Sequence, residues 1–168
     1  VPAWVKEPSQ TLIENINANK CGDVALNYQT HRLNNEDCDA ISCRLRSLDV
    51  NKASDRVTII YLPCYLDGND GVLDIAYYDM MPGLDATVFP SYYEPWGYTP
   101  LESIAFGVPT ISSDKAGFGQ WIMSNFNNSF DDCGVKVVAR TDSNYDIAKE
   151  AIAGSILELV ELSDAELS

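Results

Sequence analysis

Val88-Phe89-Pro90-Ser91-Tyr92-Tyr93-Glu94-Pro95-Trp96-Gly97-Tyr98-Thr99-Pro100-Leu101-Glu102 reads as the end of a buried strand, a loop, and the opening turn of a helix. Pro90 stops the strand, because proline offers a ladder no N–H. Pro100 suits the first turn of a helix, and an acid at 102 suits its positive end. One carboxylate, Glu94, therefore falls at the carboxyl end of a strand, and a second, Glu102, in a first helical turn, with Gly97 between them. Carboxylates accept hydrogen bonds from hydroxyls, and helix-end N–H groups attract anions. The layout fits a ligand that carries both, such as a sugar nucleotide.

The flanking sequence alternates between the two hydrophobic periods. Leu12, Ile13 and Ile16 follow Ser9 as an N-cap, with Gly22 closing that helix, and Val24-Ala25-Leu26 forms a short strand. Cys38, Ile41, Leu45 and Leu48 recur at helical spacing. Val57–Leu62, a continuous apolar and β-branched run stopped by Pro63, predicts a buried strand. A loop rich in Gly and Asp (Asp67 to Gly71) leads to a short helix over Asp74–Met81. Then come strand Ala86–Phe89, helix Pro100–Phe106 with Leu101, Ile104 and Ala105 inward, and strand Pro109–Ser112. A helix over Phe118–Asn125, strand Val135–Ala139 and a long last helix follow, the last burying Ala148, Ile152, Ile156, Leu159 and Val160.

Short apolar strands, each followed by a helix, predict an α/β fold: a Rossmann-like parallel sheet with helices on both faces. Ligands of such sheets bind at the carboxyl ends of the strands. The Pro90–Thr99 loop lies at one such end and Ser112–Gly119 at the next, so the two should face one cleft. Residues 1–168 read as a single domain. The opening Val-Pro-Ala resembles the end of a strand, and no glycine-rich turn follows a first strand, so the expectation is a piece cut on its N-terminal side from a larger enzyme.

With 168 residues and 46% hydrophobic content, the chain can bury a substantial core. A net charge of −14 repels nucleic acid and anionic membrane surfaces, so neither is an expected partner. No apolar run approaches the length of a membrane span, and the start lacks the layout of a signal peptide. The acidity is awkward for a diphosphate: the nearest cation in sequence is Lys115, and no arginine lies between Arg56 and Arg140. Five cysteines without a Cys-x-x-Cys pair fit neither a disulfide framework nor a zinc motif, and reduced thiols point to the cytoplasm. The one histidine, His31, cannot build a multi-histidine metal centre and is expected to cap or pack.

Each candidate residue has a plain structural reading beside the functional one. Thr99-Pro100-Leu101-Glu102 fits a capping box, in which Glu102 merely reaches back to the Thr99 N–H. The alternative gives Glu102 to the vicinal hydroxyls of a ribose. No cap or helix pairing calls for an acid at Glu94, and its place at a strand end favours function over a solvated loop. Gly97 lets backbone approach a ligand, with the Tyr98 and Thr99 N–H groups aimed at an anion. Trp96 is either a packed loop aromatic or a platform, and Tyr77 or Tyr78 either packs on the sheet or stacks on a base. Gly117-Phe118-Gly119 is an ordinary turn or a loop shaped by close approach of a ligand.

The run Ser91–Glu102 closely resembles the donor-site signature of glycogen synthases of the animal and fungal type. Gly107-Val108-Pro109-Thr110-Ile111-Ser112, Ala116-Gly117-Phe118-Gly119, Asp55-Arg56-Val57 and Tyr77 extend the resemblance over roughly residues 30 to 125. It implies the C-terminal, donor-binding domain of a retaining glycosyltransferase with two Rossmann-like domains (the GT-B class), incomplete here. It further implies UDP-glucose as donor, the 4-hydroxyl of an α-1,4-glucan as acceptor through a missing domain, and no metal or other cofactor. By that resemblance Glu94 is catalytic, steadying charge at the anomeric carbon. Trp96 and Gly97 help bind the donor, Tyr98 and Thr99 take the distal phosphate, Glu102 the ribose, and Tyr77 the uracil. The family's arginine and lysine on the diphosphate have no counterpart here, so the chain alone is expected to lack transferase activity. Leu62-Pro63-Cys64-Tyr65, Leu101 and Ser103 depart from the family pattern. Homo-oligomerisation of the full-length enzyme is compatible with this reading. The alternatives are a non-catalytic nucleotide-sugar binding or interaction domain, or a related glycosyltransferase with another donor.

Overall fold

The computed structural model describes residues 5–8, 28–52 and 54–161. The expected helix after Ser9 and the strand at Val24-Ala25-Leu26 lie outside the described residues. The chain forms two compact units, residues 1–77 and 78–168.

In the first unit, strand β1 (Val5–Pro8) pairs antiparallel with β2 (His31–Leu33). Helix α1 (Ala40–Leu48) begins at Asp39, whose carboxylate accepts from the Ser42 N–H at 2.7 Å. Its buried residue is Ser42, while Ile41 and Leu48 are exposed. Spacing located this helix but not its inward face.

The buried strand expected at Val57–Leu62 does not form. Only Tyr61 makes a bridge, to Gln29, and Val57 and Ile60 are 70% and 50% exposed. The cause lies at Ile59, whose N–H donates to the Asn51 side chain and whose carbonyl accepts from it, both at 2.7 Å. An asparagine side chain occupies the groups that a neighbouring strand would pair.

The helix expected over Asp74–Met81 is shorter. Asp74 adopts a positive φ of 52°, outside the right-handed helical region, so helix α2 spans only Tyr77–Met80 before a 3-10 turn, Met81–Gly83.

The second unit carries a parallel sheet of β3 (Thr87–Val88), β4 (Thr110–Ser113) and β5 (Val135–Val138), in that order. Val88 pairs with Ile111, and Ser113 with Val138. Between the strands run helices α3 (Tyr98–Ala105), α4 (Gly117–Asn125) and the single turn α5 (Phe130–Cys133), and α6 (Tyr145–Glu161) follows the last. Alternating side chains of the sheet feed two apolar layers. On one face Val135 and Val137 pack with Phe118 and Ile122 of α4, joined by Ile104 of α3. On the other, Ile111 and Val138 pack with Phe130, Ala148 and Leu159. The open parallel sheet with helices on both faces is the Rossmann-like α/β arrangement that the strand–helix alternation predicts.

Two inward faces differ from the expectation. In α3 the buried residues are Pro100 and Ser103, with Ile104 partly covered, while Leu101 and Ala105 face outward. Ser103 accounts for the rotation: its hydroxyl donates to the Val108 carbonyl, and its oxygen lies 2.7 Å from the Thr87 hydroxyl oxygen, which is 2.8 Å from that of Thr110. This buried cluster of hydroxyls fastens α3 to the sheet. In α6 Ser155 is buried beside Ala148 and Leu159, leaving Ile156 and Val160 exposed.

Candidate functional site

The carboxyl ends of β3 and β4 continue into loops that remain hydrogen-bonded to one another. The Glu94 N–H donates to the Lys115 carbonyl at 3.1 Å, and the Gly117 N–H donates to the Glu94 carbonyl at 3.2 Å. Phe118 N–H donates to Trp96 C=O at 2.6 Å, and the Ser113 hydroxyl to Ser91 C=O at 2.6 Å. Glu94 and Ala116 thus form a parallel bridge beyond the end of the regular sheet. The two loops expected to share a cleft are one joined structure.

Glycines make this junction possible. A Cβ on Gly117 would run into the Pro95 carbonyl, and one on Gly119 into that of Ser113. The Gly117-Phe118-Gly119 segment is therefore shaped by backbone packing within the protein. Gly97 has φ +98°, and a Cβ there would stand 3.3 Å from Glu94 Oε2 and 3.4 Å from Ala116 Cβ. Glycine at 97 leaves room for the Glu94 carboxylate, which accepts from the Ser91 hydroxyl at 3.1 Å.

Helix α3 starts two residues earlier than a capping box on Thr99 allows. Gly97 is its N-cap in the left-handed conformation, with no side-chain cap, so Thr99 lies inside the helix. The capping-box reading of Glu102 fails on this geometry. Instead, Glu102 Oε1 accepts from the Tyr78 hydroxyl at 2.9 Å, and the Tyr78 ring stacks on Phe106 at 6.0 Å. The carboxylate in turn pushes the Tyr78 hydroxyl pKa up. Tyr98 is exposed and Thr99 half-buried, in a first turn with no side chain capping its N–H groups. Trp96 packs edge-on against Phe118 with part of its surface open. Among the expected site residues, Glu94, Trp96, Gly97, Tyr98, Thr99 and Glu102 occupy one loop and helix start. Tyr77 ends the first unit, its N–H donating to Leu66 C=O at 2.9 Å.

The roles of two residues escaped the sequence reading. Tyr78, not a capping N–H, is the partner of Glu102. Arg140, just past β5, is 7% exposed; its Nη1 donates to Pro90 C=O at 2.9 Å and its Cζ lies 3.8 Å from the Tyr92 ring centroid. Its backbone N–H donates to Asp114 at 2.8 Å, while Nε meets no protein acceptor. The guanidinium clamps the loop four and two residues before Glu94, by the Pro90 carbonyl and the Tyr92 π face. No spacing links residue 140 to residue 94. The available signal was topological: a third strand ends on the same edge of the sheet. Lys115, the nearest cation in sequence, is engaged with Asp114 at 3.3 Å.

An open parallel α/β sheet with one carboxylate in a carboxyl-edge loop and a second in the helix that follows is a Rossmann-like arrangement. Residues 12–165 match the family model described as glycogen synthase. The chain is 35% identical over 134 residues to glycogen (starch) synthase isoform 2 of Saccharomyces cerevisiae, covering 79% of this chain and 19% of that protein. It is 36% identical over 135 residues to glycogen (starch) synthase of Neurospora crassa, covering 80% and 19%. Against the liver glycogen (starch) synthase of Mus musculus the identity is 35% over 97 residues, covering 57% and 14%. The chain belongs to the glycogen synthase family. It spans about a fifth of the length of the curated relatives it matches. No helix among the described residues is long and apolar enough to cross a membrane.

Proposed function

We propose that this chain is the donor-binding part of a cytoplasmic glycogen synthase, transferring glucose from UDP-glucose to the 4-hydroxyl of an α-1,4-glucan with retention. The observation that carries the reading is the Glu94 loop: a carboxylate at a strand's carboxyl end, locked by backbone bonds to residues 115–117 and followed directly by the uncapped start of α3.

In the transfer the bond from the anomeric carbon to the diphosphate oxygen breaks, its electron pair leaving with the phosphate, and a bond to the acceptor oxygen forms as the acceptor hydroxyl gives its proton to the departing phosphate. Positive charge grows at the anomeric carbon and negative charge on the leaving group. Glu94 faces the first and holds the glucose hydroxyls. The N–H groups of Tyr98 and Thr99, at the positive end of α3, receive the distal phosphate. Glu102 accepts from the ribose, Tyr77 stacks on uracil, and Trp96 and Gly97 wall the site. The step uses no metal. The glucan and further cationic groups come from the rest of the enzyme.

The test is glucosyl incorporation into glycogen by the full-length enzyme, comparing UDP-glucose with ADP-glucose. Activity with UDP-glucose, abolished or strongly reduced in Glu94→Ala, is the expected result. Binding of UDP-glucose without any transfer would leave a non-catalytic binding domain, and preference for another donor would overturn the assignment of UDP-glucose.

A further inference from the structure

We infer that His31, Cys64 and Asp70, in the first unit, form a binding site for one zinc-class divalent cation, separate from the Glu94 loop and its chemistry. His31 Nδ1 or Nε2, Cys64 Sγ and an Asp70 carboxylate oxygen provide three ligand atoms that lie within 4.8 Å of one another. A mixed nitrogen, sulfur and oxygen set suits zinc-like ions, whereas magnesium and calcium take oxygen alone.

The imidazole is oriented for the task. His31 is fully buried, and its Nε2 lies 2.8 Å from the Asp70 carbonyl, which can only accept, so the N–H is on Nε2. Nδ1 is then the acceptor nitrogen, and Cys64 Sγ stands 3.8 Å from it. A carbonyl holding the distal N–H is the usual outer support of a metal-bound histidine. In a tetrahedral site with zinc–sulfur about 2.3 Å and zinc–nitrogen about 2.0–2.1 Å, those two ligand atoms stand roughly 3.6 Å apart. The observed pair needs to close by only a few tenths of an ångström.

The other groups are also supported. Asp70 is buried and its carboxylate is fixed by three backbone N–H groups, Val72 and Leu73 on Oδ1 and Asp74 on Oδ2, which leaves Oδ2 the freer oxygen. The Thr30 hydroxyl lies 2.8 Å from His31 Nδ1 and has a second acceptor, the Tyr61 carbonyl at 3.5 Å, to which it can turn when a cation takes the nitrogen. Cys64 is half-buried, giving an ion a route from solvent and water a place as fourth ligand. Binding converts the thiol to a thiolate and releases its proton to solvent. The ion would tie β2 to the loop at residues 62–74. Sequence reading missed the set because its members lie at 31, 64 and 70, with no local motif.

The experiment titrates the reduced, metal-free chain with Co2+ and then Zn2+. The expected result is one equivalent of Co2+ giving a thiolate-to-cobalt band in the near ultraviolet with visible bands of a four-coordinate ion, displaced by Zn2+. The melting temperature should rise with Zn2+. Cys64→Ser should lose the thiolate band and weaken Zn2+ binding on the order of a hundredfold. Cys38→Ser with Cys43→Ser, both at exposed positions, should change neither. A metal-free melt establishes that Cys64→Ser is folded, and Cys64→Ala replaces it if serine disturbs the loop. Absence of a thiolate band in the wild type, or a band persisting in the folded Cys64 variant, overturns the site.

Discussion

Val57–Leu62 and Val108–Ser113 invite the same reading and fold differently. The first is the more apolar, yet it forms no strand and leaves Val57 and Ile60 exposed, with one bridge at Tyr61. The second includes a proline, a threonine and two serines, yet its last four residues are β4, buried throughout and paired along their whole length with β5 and in their first half with β3. Burial here follows from having partners. Thr110 and Ile111 pair with both β3 and β5, Ser112 and Ser113 pair with β5, and the hydroxyls of Thr110 and Ser113 find Thr87 and the Ser91 carbonyl. At Ile59 an asparagine side chain has taken the neighbour's place.

The largest expected effect tests that difference directly. Ile111 is fully buried and Ile60 is half exposed, so the same truncation should behave unequally. Ile111→Ala should destabilise the chain by about 2–5 kcal/mol, the usual range for emptying a core site. Ile60→Ala should stay within about 0.5 kcal/mol, as exposed changes do. Urea unfolding of both variants checks this. Equal losses would mean that the 57–62 run is packed in solution and the contrast is false.

The same contrast explains what was legible beforehand. Where strand and helix alternate with partners nearby in sequence, as from Ala86 to Glu161, period and punctuation located the strands and the longer helices to within a few residues but missed the single turn α5 (Phe130–Cys133). Which side chains turn inward was less visible, because Ser103 and Ser155 are buried through hydrogen bonds and apolar patterning cannot register those. The site loop was legible because its residues are contiguous from Glu94 to Glu102. Arg140 and Tyr78 were not, since each reaches the loop or its helix through the fold.

In the full-length enzyme Glu94→Ala should lower turnover far more than donor affinity. A group aimed at charge that develops in the transition state commonly contributes ~10²–10³-fold, or roughly 2.7–4 kcal/mol. Steady-state kinetics with UDP-glucose, alongside a melt, separates this from a folding defect. An unchanged turnover number would reduce Glu94 to a solvated loop acid, and the bonded loops to scaffolding.

Arg140→Met sharpens the distinction between holding a loop and holding a fold. The change removes the Pro90 bond and the Tyr92 contact, but it also removes a buried cation that lacks a carboxylate partner. Apolar replacement of a buried charge is often close to neutral in stability. The expected result is a melt within about 1 kcal/mol of wild type and turnover reduced roughly tenfold or more by misplacement of the Glu94 loop. A large loss of stability with unchanged turnover would make the clamp purely structural.

Glu102 gives the finest discrimination, because the capping-box account has gone and two readings remain. Its hydrogen bond to Tyr78 is exposed, so neither Glu102→Gln nor Tyr78→Phe should move the melting temperature appreciably. If Glu102 serves only as a partner for Tyr78, UDP affinity should also be unchanged in both variants. If it receives the ribose, Glu102→Gln replaces a charged acceptor with a neutral one and should weaken UDP binding by roughly 1–2 kcal/mol. Tyr78→Phe should then cost less, about 0.5–1 kcal/mol, because it frees the carboxylate to rotate without removing its charge. Calorimetric titration of UDP into the full-length enzyme and both variants, with the double variant closing the cycle, measures each loss and their coupling. A double variant no weaker than Glu102→Gln alone identifies Tyr78 as acting through Glu102. Additive losses would give Tyr78 a contact of its own with the nucleotide.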